Sequence, residues 1–429
     1  MIDTDVIVIG GGAAGLMAAI TAARCGARTL IIEHMDRVGK KILSTGNGKC
    51  NYTNALQGIS YYRGENPAFV LPIFEQFGHE ETVNFFQELG IYPKVRKGYF
   101  YPTSEQASSS VLDVLRMECD YQNVGIYTSC HIKFIQKAGN GYQISTDKGA
   151  FSTQKIIFAP GLLAAPKTGS DGSCFPHIER LGHHFIDIVP ALVQLQGKQS
   201  FFKTLEGIRA EATIDLYIGS HDFDAKNANM KDDMSGWEKI CTETGELQLT
   251  DYGISGIPVF QISRFATRAL HEKRDVCAKI DFLPALSDEQ VTAMLDERFY
   301  MYAHGKNCSE ALIGLFNKKL IEVLLKESRI DLHLPAEQIK PGQLARLLAT
   351  IKRFHVDIVG SKSVDAAQVC AGGVATCEVD DKTLESKLAK GVYFAGEVLD
   401  IDGTCGGYNL QWAWSSGYVA GVHAADLSA

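Results

Sequence analysis

The chain lacks most of the signatures of an exported, metal-built or nucleic-acid-coating protein. Its eleven cysteines are odd in number and contain no CxxC pair and no metal-ligand spacing. That argues against a disulfide framework and points to a reducing compartment. The twelve histidines include the neighbours His183 and His184 but no HxH and no HExxH, so no metal site is expected. Basic residues form no run longer than a pair, apart from mixed stretches such as His271-Glu272-Lys273-Arg274 that read as solvated helix faces. With 42 Lys and Arg against 50 Asp and Glu, the net charge is −8. Together with the scarcity of basic stretches interleaved with aromatics, this speaks against nucleic acid or an anionic membrane as a partner. There is no internal repeat and no low-complexity tract.

One apolar run invites a wrong reading. Val6 to Ala23 carries no charge, but Asp3 and Asp5 precede it and Gly10, Gly11 and Gly12 interrupt it. A signal sequence wants a positive start and a cleavage site, whereas this run suits a buried strand, a turn and a helix. The expectation is therefore no export and a cytoplasmic location, where the sequons at Asn51 and Asn307 carry no meaning. At 429 residues, 45% hydrophobic and 21% charged, the chain is of ordinary globular composition and long enough for two or three domains.

What is present begins at once. Val6 to Ile9 is a β-branched run, as for a strand buried on both faces of a parallel sheet. Ala13 to Cys25 reads as a helix ending at Gly26, and Thr29 to Ile32 as a second buried strand, which makes a βαβ unit. Helices are expected between Glu65 and Leu89 and from Ser108 to Cys119, then a buried strand from Lys155 to Ala159. Short strands at 192–195, 212–216 and 247–249 suggest an antiparallel β domain. Ser287 to Arg329 takes helical spacing, Phe354 to Val359 returns to strand, and Gly391 to Ala425 reads as strand, glycine-rich turn and helix. Because the last segment again looks like nucleotide-binding material, the middle reads as an insertion. The expected organisation is an α/β Rossmann-like domain over 1–190 and 368–429. The insertion would form an antiparallel β-barrel-like domain over 191–283 and 350–367, with a small helical domain over 284–349.

Three clusters carry chemistry. In Gly10-x-Gly12-x-x-Gly15 the first glycine permits a tight turn, the second lets amides approach a pyrophosphate, and the third lets helix and strand pack closely. The helix N-terminus adds a positive dipole end, and Glu33 stands where a carboxylate accepts hydrogen bonds from a ribose diol. The loop from Val38 to Asn51, dense in small and donor residues, can wrap the flavin side of a dinucleotide; alone it would read as an ordinary Gly/Ser/Asn loop. The third cluster runs from Tyr393-Phe394-Ala395-Gly396-Glu397 through Asp400 to Gly407, into a helix starting near Tyr408. A helix N-terminus aimed at a flavin pyrimidine would stabilise the charge that develops there on reduction. A capped structural helix is the plainer alternative.

On these motifs the chain resembles the YhiN/BaiN-like, or aminoacetone-oxidase-type, FAD-binding flavoproteins. The resemblance spans the whole chain. It rests on Gly10 to Gly15, on the loop from Lys40 to Asn54, on Tyr252 to Gly256, on Ala371 to Val374, and on Gly391 to Asp400 with Gly406 to Ala413. It implies an FAD-binding Rossmann-like domain with an inserted barrel-like domain and a small helical one. It also implies FAD contacts from Ala14 and Gly15 at the pyrophosphate, Glu33 at the ribose and Lys41 from the wrapping loop. Glu397, Asn409 and Leu410 would lie near the isoalloxazine, and Ile132 at the adenine. The remaining cofactor candidates are Gly10, Gly12, Ala13, Asn47, Cys50, Asn51, Ala159, Gly161, Gly396, Asp402 and Gly407. The family often has Arg where Lys49 stands and Thr where Cys405 stands.

Activities within the family differ, and the resemblance fixes the cofactor better than the substrate. The leading expectation is an FAD-dependent oxidoreductase that reduces a conjugated C=C of an enone, oxo-bile-acid or steroid-like small molecule. NAD(P)H would be a transient donor, because the chain has no second GxGxxG; Gly161 to Ala165 does not fit one. The alternatives are an amine oxidase making hydrogen peroxide and, in another class, an RNA-modifying or RNA-binding flavoprotein. Flavin N5 exchanges a hydride, so the protein need add only orientation, electrostatics and a proton. Tyr252, Tyr408 and Arg264 are candidates for polarising a carbonyl, with packing or solvation as the alternative for each. No catalytic acid is assigned. Cys50, Cys370 and Cys405 could be redox thiols or small packing residues, and no pattern bears on the oligomeric state.

Overall fold

The computed structural model describes residues 2–103, 107–220 and 236–426. The chain forms two compact units, Met1–Val189 with Val364–Ala429, and Pro190–Ser363. In the first unit the strand Ile2–Ile9 is central, and its last six residues are buried because both faces of the sheet are covered. Thr29–Ile32 and then Gly125–Tyr127 lie parallel on one side of it, and Gly149–Phe158 lies parallel on the other. The first half of Gly149–Phe158 pairs antiparallel with Gly141–Thr146, while its last three residues take Val392–Phe394 as a parallel neighbour. Five parallel strands thus end on one edge, at Ile9, Ile32, Tyr127, Phe158 and Phe394. In open α/β sheets this is the edge that binds ligands.

The apolar run from Val6 is strand, turn and the helix Ala13–Arg24, which stops before Gly26 at φ 92°. The last helix, Tyr408–Ala425, lies directly against it. A Cβ on Gly417 would sit 2.5 Å from the Ala14 carbonyl oxygen, and one on Gly421 2.6 Å from that of Ala18. The expected helical stretch from Glu65 to Leu89 is divided into Leu71–Gln76 and His79–Glu88. The division falls at Gly78, whose amide donates to Glu81 Oε2 at 2.9 Å and so starts a new helix. Ser108 to Cys119 is part of the longer helix Ala107–Tyr121.

In the second unit Leu195–Gly197, Gly253–Ser255, Trp237–Leu249, Arg209–Gly219, Val276–Asp281 and Phe354–Ser361 close into a barrel. The expected strand at 192–195 begins three residues later, because Leu192 takes a left-handed backbone at φ 49° that a strand cannot accommodate. The helices Asp288–Asp296, Lys318–Glu327 and Pro341–Lys352 bury Leu295, Leu324 and Leu347 in the same apolar cluster as the barrel's Ile214, Leu247 and Ile280. No helix among the described residues is long and apolar enough to cross a membrane.

The contact between the first and last helices yields a prediction. Gly417→Val forces a side chain into backbone, and overpacking of this kind costs about 1–3 kcal/mol. Urea denaturation should show a lower midpoint at unchanged slope; an unaltered midpoint would mean that the two helices are not in contact.

Candidate functional site

The glycine turn is built by exclusion. A Cβ on Gly10, which sits at φ 100°, would lie 2.4 Å from the Ala159 carbonyl oxygen, and one on Gly15 1.9 Å from that of Gly10. On Gly12, by contrast, a Cβ would meet no atom within 4 Å, and no side chain caps the helix that begins at Ala13. The first-turn amides of Ala13, Ala14 and Gly15 therefore border open space at the positive end of a helix, which suits a diphosphate.

Glu33 is buried and locks this turn to the end of the second strand. Its Oε2 accepts from the Gly11 amide at 2.8 Å and its Oε1 from the Met35 amide at 2.7 Å. A carboxylate offers about four acceptor positions, so it retains capacity for a hydroxyl. Ile132 begins a strand two residues after Cys130, whose amide donates to the Glu33 carbonyl at 3.0 Å. His34, with its ring 3.3 Å from both Glu33 and Asp171, was not anticipated from sequence. Nor was Ser170, whose Oγ lies 2.5 Å from the Cβ position of Gly161. The run Gly169-Ser170-Asp171-Gly172 was the available signal.

A second group centres on Glu397. The Cβ position of Gly396 is 2.7 Å from Ala14 Cβ, which brings the third cluster onto the first. Gly396 is held by its amide donating to Ser416 Oγ at 2.8 Å and by Trp412 Nε1 donating to its carbonyl at 3.0 Å. Lys41 Nζ lies 2.7 Å from Glu397 Oε2, with both side chains largely buried, and the Cys370 amide donates to Oε1 at 2.9 Å. Gly161 borders the same place, its Cβ position being 3.7 Å from Glu397 Oε2, whereas Ala159 lies against Gly10.

The loop after Lys41 fastens to the last helix. Asn47 and Cys50 adopt left-handed backbone, Asn47 exposed and Cys50 buried. Asn51 Oδ1 accepts from the Phe100 amide at 3.1 Å, and Asn54 Nδ2 donates to the Gly406 carbonyl at 2.9 Å. Thr53 Oγ1 donates to Gln411 Oε1 at 2.5 Å, a contact not anticipated from sequence. Gly407, at φ 94°, precedes the last helix without a side-chain cap, and its Cβ position is 3.1 Å from Asn51 Nδ2. Asn409 bridges the Gly403 amide and carbonyl at 2.8 and 2.7 Å, Leu410 is half-buried and Asp402 is buried. Asp400 Oδ1 and Thr404 Oγ1 are buried without a hydrogen-bond partner.

Other candidates separate clearly. Tyr408 is buried and stacked on Tyr61 with centroids 4.4 Å apart, and burial raises its phenol. Tyr252 and Arg264 belong to the second unit, where Lys362 Nζ lies 3.7 Å from the Tyr252 ring centre. None of the eleven cysteines is in a disulfide. Burial pushes both Cys50 and Cys370 up to about 12, and Cys405 is half-buried. His183 and His184 share Glu378, at 3.0 and 2.6 Å, and His183 Nε2 is 2.7 Å from Ser386 Oγ. Among the described residues no group of three His, Cys, Asp or Glu is arranged to hold a metal ion.

A family model described as the HI0933-like protein Rossmann domain matches residues 4–423. A 3-dehydro-bile acid delta(4,6)-reductase of Clostridium scindens is 42% identical over 421 residues, 98% of each chain. Two ribosomal RNA dihydrouridine synthases are each 27% identical, that of Haemophilus influenzae over 97% of both chains and that of Escherichia coli over 96%.

The thiols and His183 can each be tested by titration. A thiol held near 12 is ionised to roughly one part in ten thousand at pH 8. An aromatic disulfide reagent at that pH should therefore modify the exposed Cys25 and Cys377 in the native protein and reach Cys50 and Cys370 only after unfolding. Fast native modification of Cys370 would restore its redox candidacy. Burial holds His183 below its ordinary value against the pull of Glu378. The unfolded chain thus takes up its proton first, and this contribution to stability is complete above about pH 6.5 and lost as the pH falls below it. The fall in melting temperature between pH 7 and 5 should be shallower in His183→Gln; equal slopes would remove His183 as its source.

Proposed function

The chain belongs to the HI0933-like Rossmann family and is an FAD-dependent oxidoreductase, and we propose that it reduces a C=C conjugated to the 3-ketone of a steroid-like acid. The observation that carries this reading is the near full-length likeness to the Clostridium scindens reductase. The residues present fit FAD. There is an uncapped helix N-terminus with open space at Gly12, a buried carboxylate at Glu33, a second uncapped helix start at Gly407, and two buried oxygens without partners, at Asp400 and Thr404, in the segment that precedes it.

When bound, the flavin supplies a hydride at N5. The chain's own residues would do the remainder. Gly12, Ala13, Ala14 and Gly15 would hold the pyrophosphate against the helix dipole, and Glu33 the adenosine ribose, with Ile132 nearby at the adenine. Lys41, Gly161 and Gly396 would hold the middle of the cofactor, and Glu397 would lie near the isoalloxazine. Asn47, Cys50, Asn51, Asp402, Gly407, Asn409 and Leu410 would enclose the ring, where amides at the start of the last helix favour negative charge. A reduced nicotinamide would serve as the transient donor, binding at the face later used by the substrate.

A second reading draws on the two dihydrouridine synthases. The C5=C6 bond of uracil is conjugated to the C4 carbonyl, so hydride addition there is the same chemistry on a different carrier. The higher identity to the bile-acid reductase favours the steroid-like substrate.

The direct test is anaerobic. NADH or NADPH should bleach the flavin absorbance, and a 3-oxo-4,6-diene steroid acid should restore it, whereas uridine-containing RNA should not. Bleaching followed by reoxidation only with RNA would transfer the assignment to the second reading. Glu33→Gln should raise the FAD dissociation constant about tenfold, the worth of a lost charge-assisted hydrogen bond. Fluorescence titration of the apoprotein measures it; unchanged affinity would remove Glu33 from the cofactor site.

A further inference from the structure

From Leu89 to Ser104 the chain has no Asp or Glu, yet it carries Lys94, Arg96 and Lys97 among Tyr92, Tyr99, Phe100 and Tyr101. This segment is a hairpin of Pro93–Arg96 and Tyr99–Pro102, and the second strand pairs with Thr53–Asn54. It is one basic stretch interleaved with aromatics in a chain otherwise short of them. The register pairs Lys94 with Tyr101 and Arg96 with Tyr99, and Asn54 with Tyr99 on the other side. Paired residues share a face and neighbours along a strand alternate. Asn54, Tyr99, Tyr101, Arg96 and Lys94 therefore stand on one face, and Phe100 on the other.

Contacts agree with this division. Phe100 packs inward, 4.7 Å from the His79 ring and 6.3 Å from that of Tyr52, while Tyr99 and Tyr101 lie 6.4 Å apart. At its inner end the outer face reaches the third motif cluster. Asn54 donates to the Gly406 carbonyl, and the Cβ position of Gly406 is 2.9 Å from Tyr99 and 3.0 Å from Tyr408. At its outer end Lys94 and Arg96 are exposed, and neither meets a carboxylate among the described residues.

We propose that this outer face binds the far end of the substrate, with Tyr99 and Tyr101 against its hydrocarbon body and Arg96 and Lys94 on its terminal carboxylate. The inference rests on the reading that the substrate is a steroid-like acid reduced beside the Gly403–Tyr408 segment. The size agrees, because strands are spaced about 4.8 Å apart and the edge strand lies about 10 Å from Thr53–Asn54, the length of a fused ring system. Charge agrees too. An arginine can grip one carboxylate with two parallel hydrogen bonds. A nucleic-acid backbone would call for one cation per phosphate along a track, and this face offers two on a protein of net charge −8.

The test compares a 3-oxo-4,6-diene steroid carboxylic acid with its uncharged primary amide, by steady-state turnover of the flavin-loaded protein and by equilibrium binding. The native protein should prefer the acid about tenfold in kcat/KM, through KM. Arg96→Glu with Lys94→Glu should abolish or invert that preference, and Arg96→Gln should reduce it. Flavin content and melting temperature check that each variant is folded. The same acid-to-amide ratio in native and variant protein would sink the inference while leaving the functional reading intact. No turnover of either compound by the native protein would remove both. An affinity for a labelled RNA stem-loop that the double variant loses, with no acid preference in the native protein, would reassign the face to nucleic acid.

Discussion

The first unit depends on backbone meeting backbone where a β-carbon would not fit. Gly10 against Ala159, Gly15 against Gly10, and Gly417 and Gly421 against the first helix leave less than 3 Å for a side chain. These approaches draw the glycine turn, the strand ending at Phe158 and the last helix together at one edge of the sheet. Nothing larger than glycine can replace these residues without moving whole elements, because packed interiors have almost no free volume to yield. Rigid positioning of this sort fixes the uncapped amides at the start of the first helix and the buried carboxylate of Glu33 relative to one another.

Much of this was legible in the sequence. Gly10-x-Gly12-x-x-Gly15 and Glu33 announced their arrangement because a βαβ unit is local, and its spacing is enforced by short connections. The pairing of Lys41 with Glu397 was not legible, since the two lie 356 positions apart. Nor was the Cys370 amide on the same carboxylate, because an amide has no residue identity. Leu192 read as strand from its apolar neighbours, but tertiary context imposed a backbone that ends one. The hairpin's outer face was missed for a different reason. Lys94 and Arg96 are not adjacent, and only the alternation of a strand and the pairing with Tyr99–Pro102 bring them beside the tyrosines.

The three relatives suggest a division of labour. A steroid dienone and a uracil ring both offer a double bond conjugated to a carbonyl, so the chemistry asked of a flavin is the same. What must differ is whatever holds the rest of the molecule, and that lies beyond the reacting atoms. Burial holds the thiols of Cys50 and Cys370 up at about 12, so both stay protonated at neutral pH.

The contact between the first and last helices also sets an order of events during synthesis. The Ala14, Ala18 and Thr21 face of the first helix has no cover until the helix beginning at Tyr408 exists. At roughly 5–20 residues per second, that interval lasts some tens of seconds. Throughout it the ribosome holds a glycine turn with no last helix behind it and no Glu397 beside it. The second unit, contiguous from Pro190 to Ser363, can meanwhile complete itself. The packed edge of the first unit is therefore among the last parts of the molecule to form, and a chain cut short before Tyr408 leaves that face of the first helix bare.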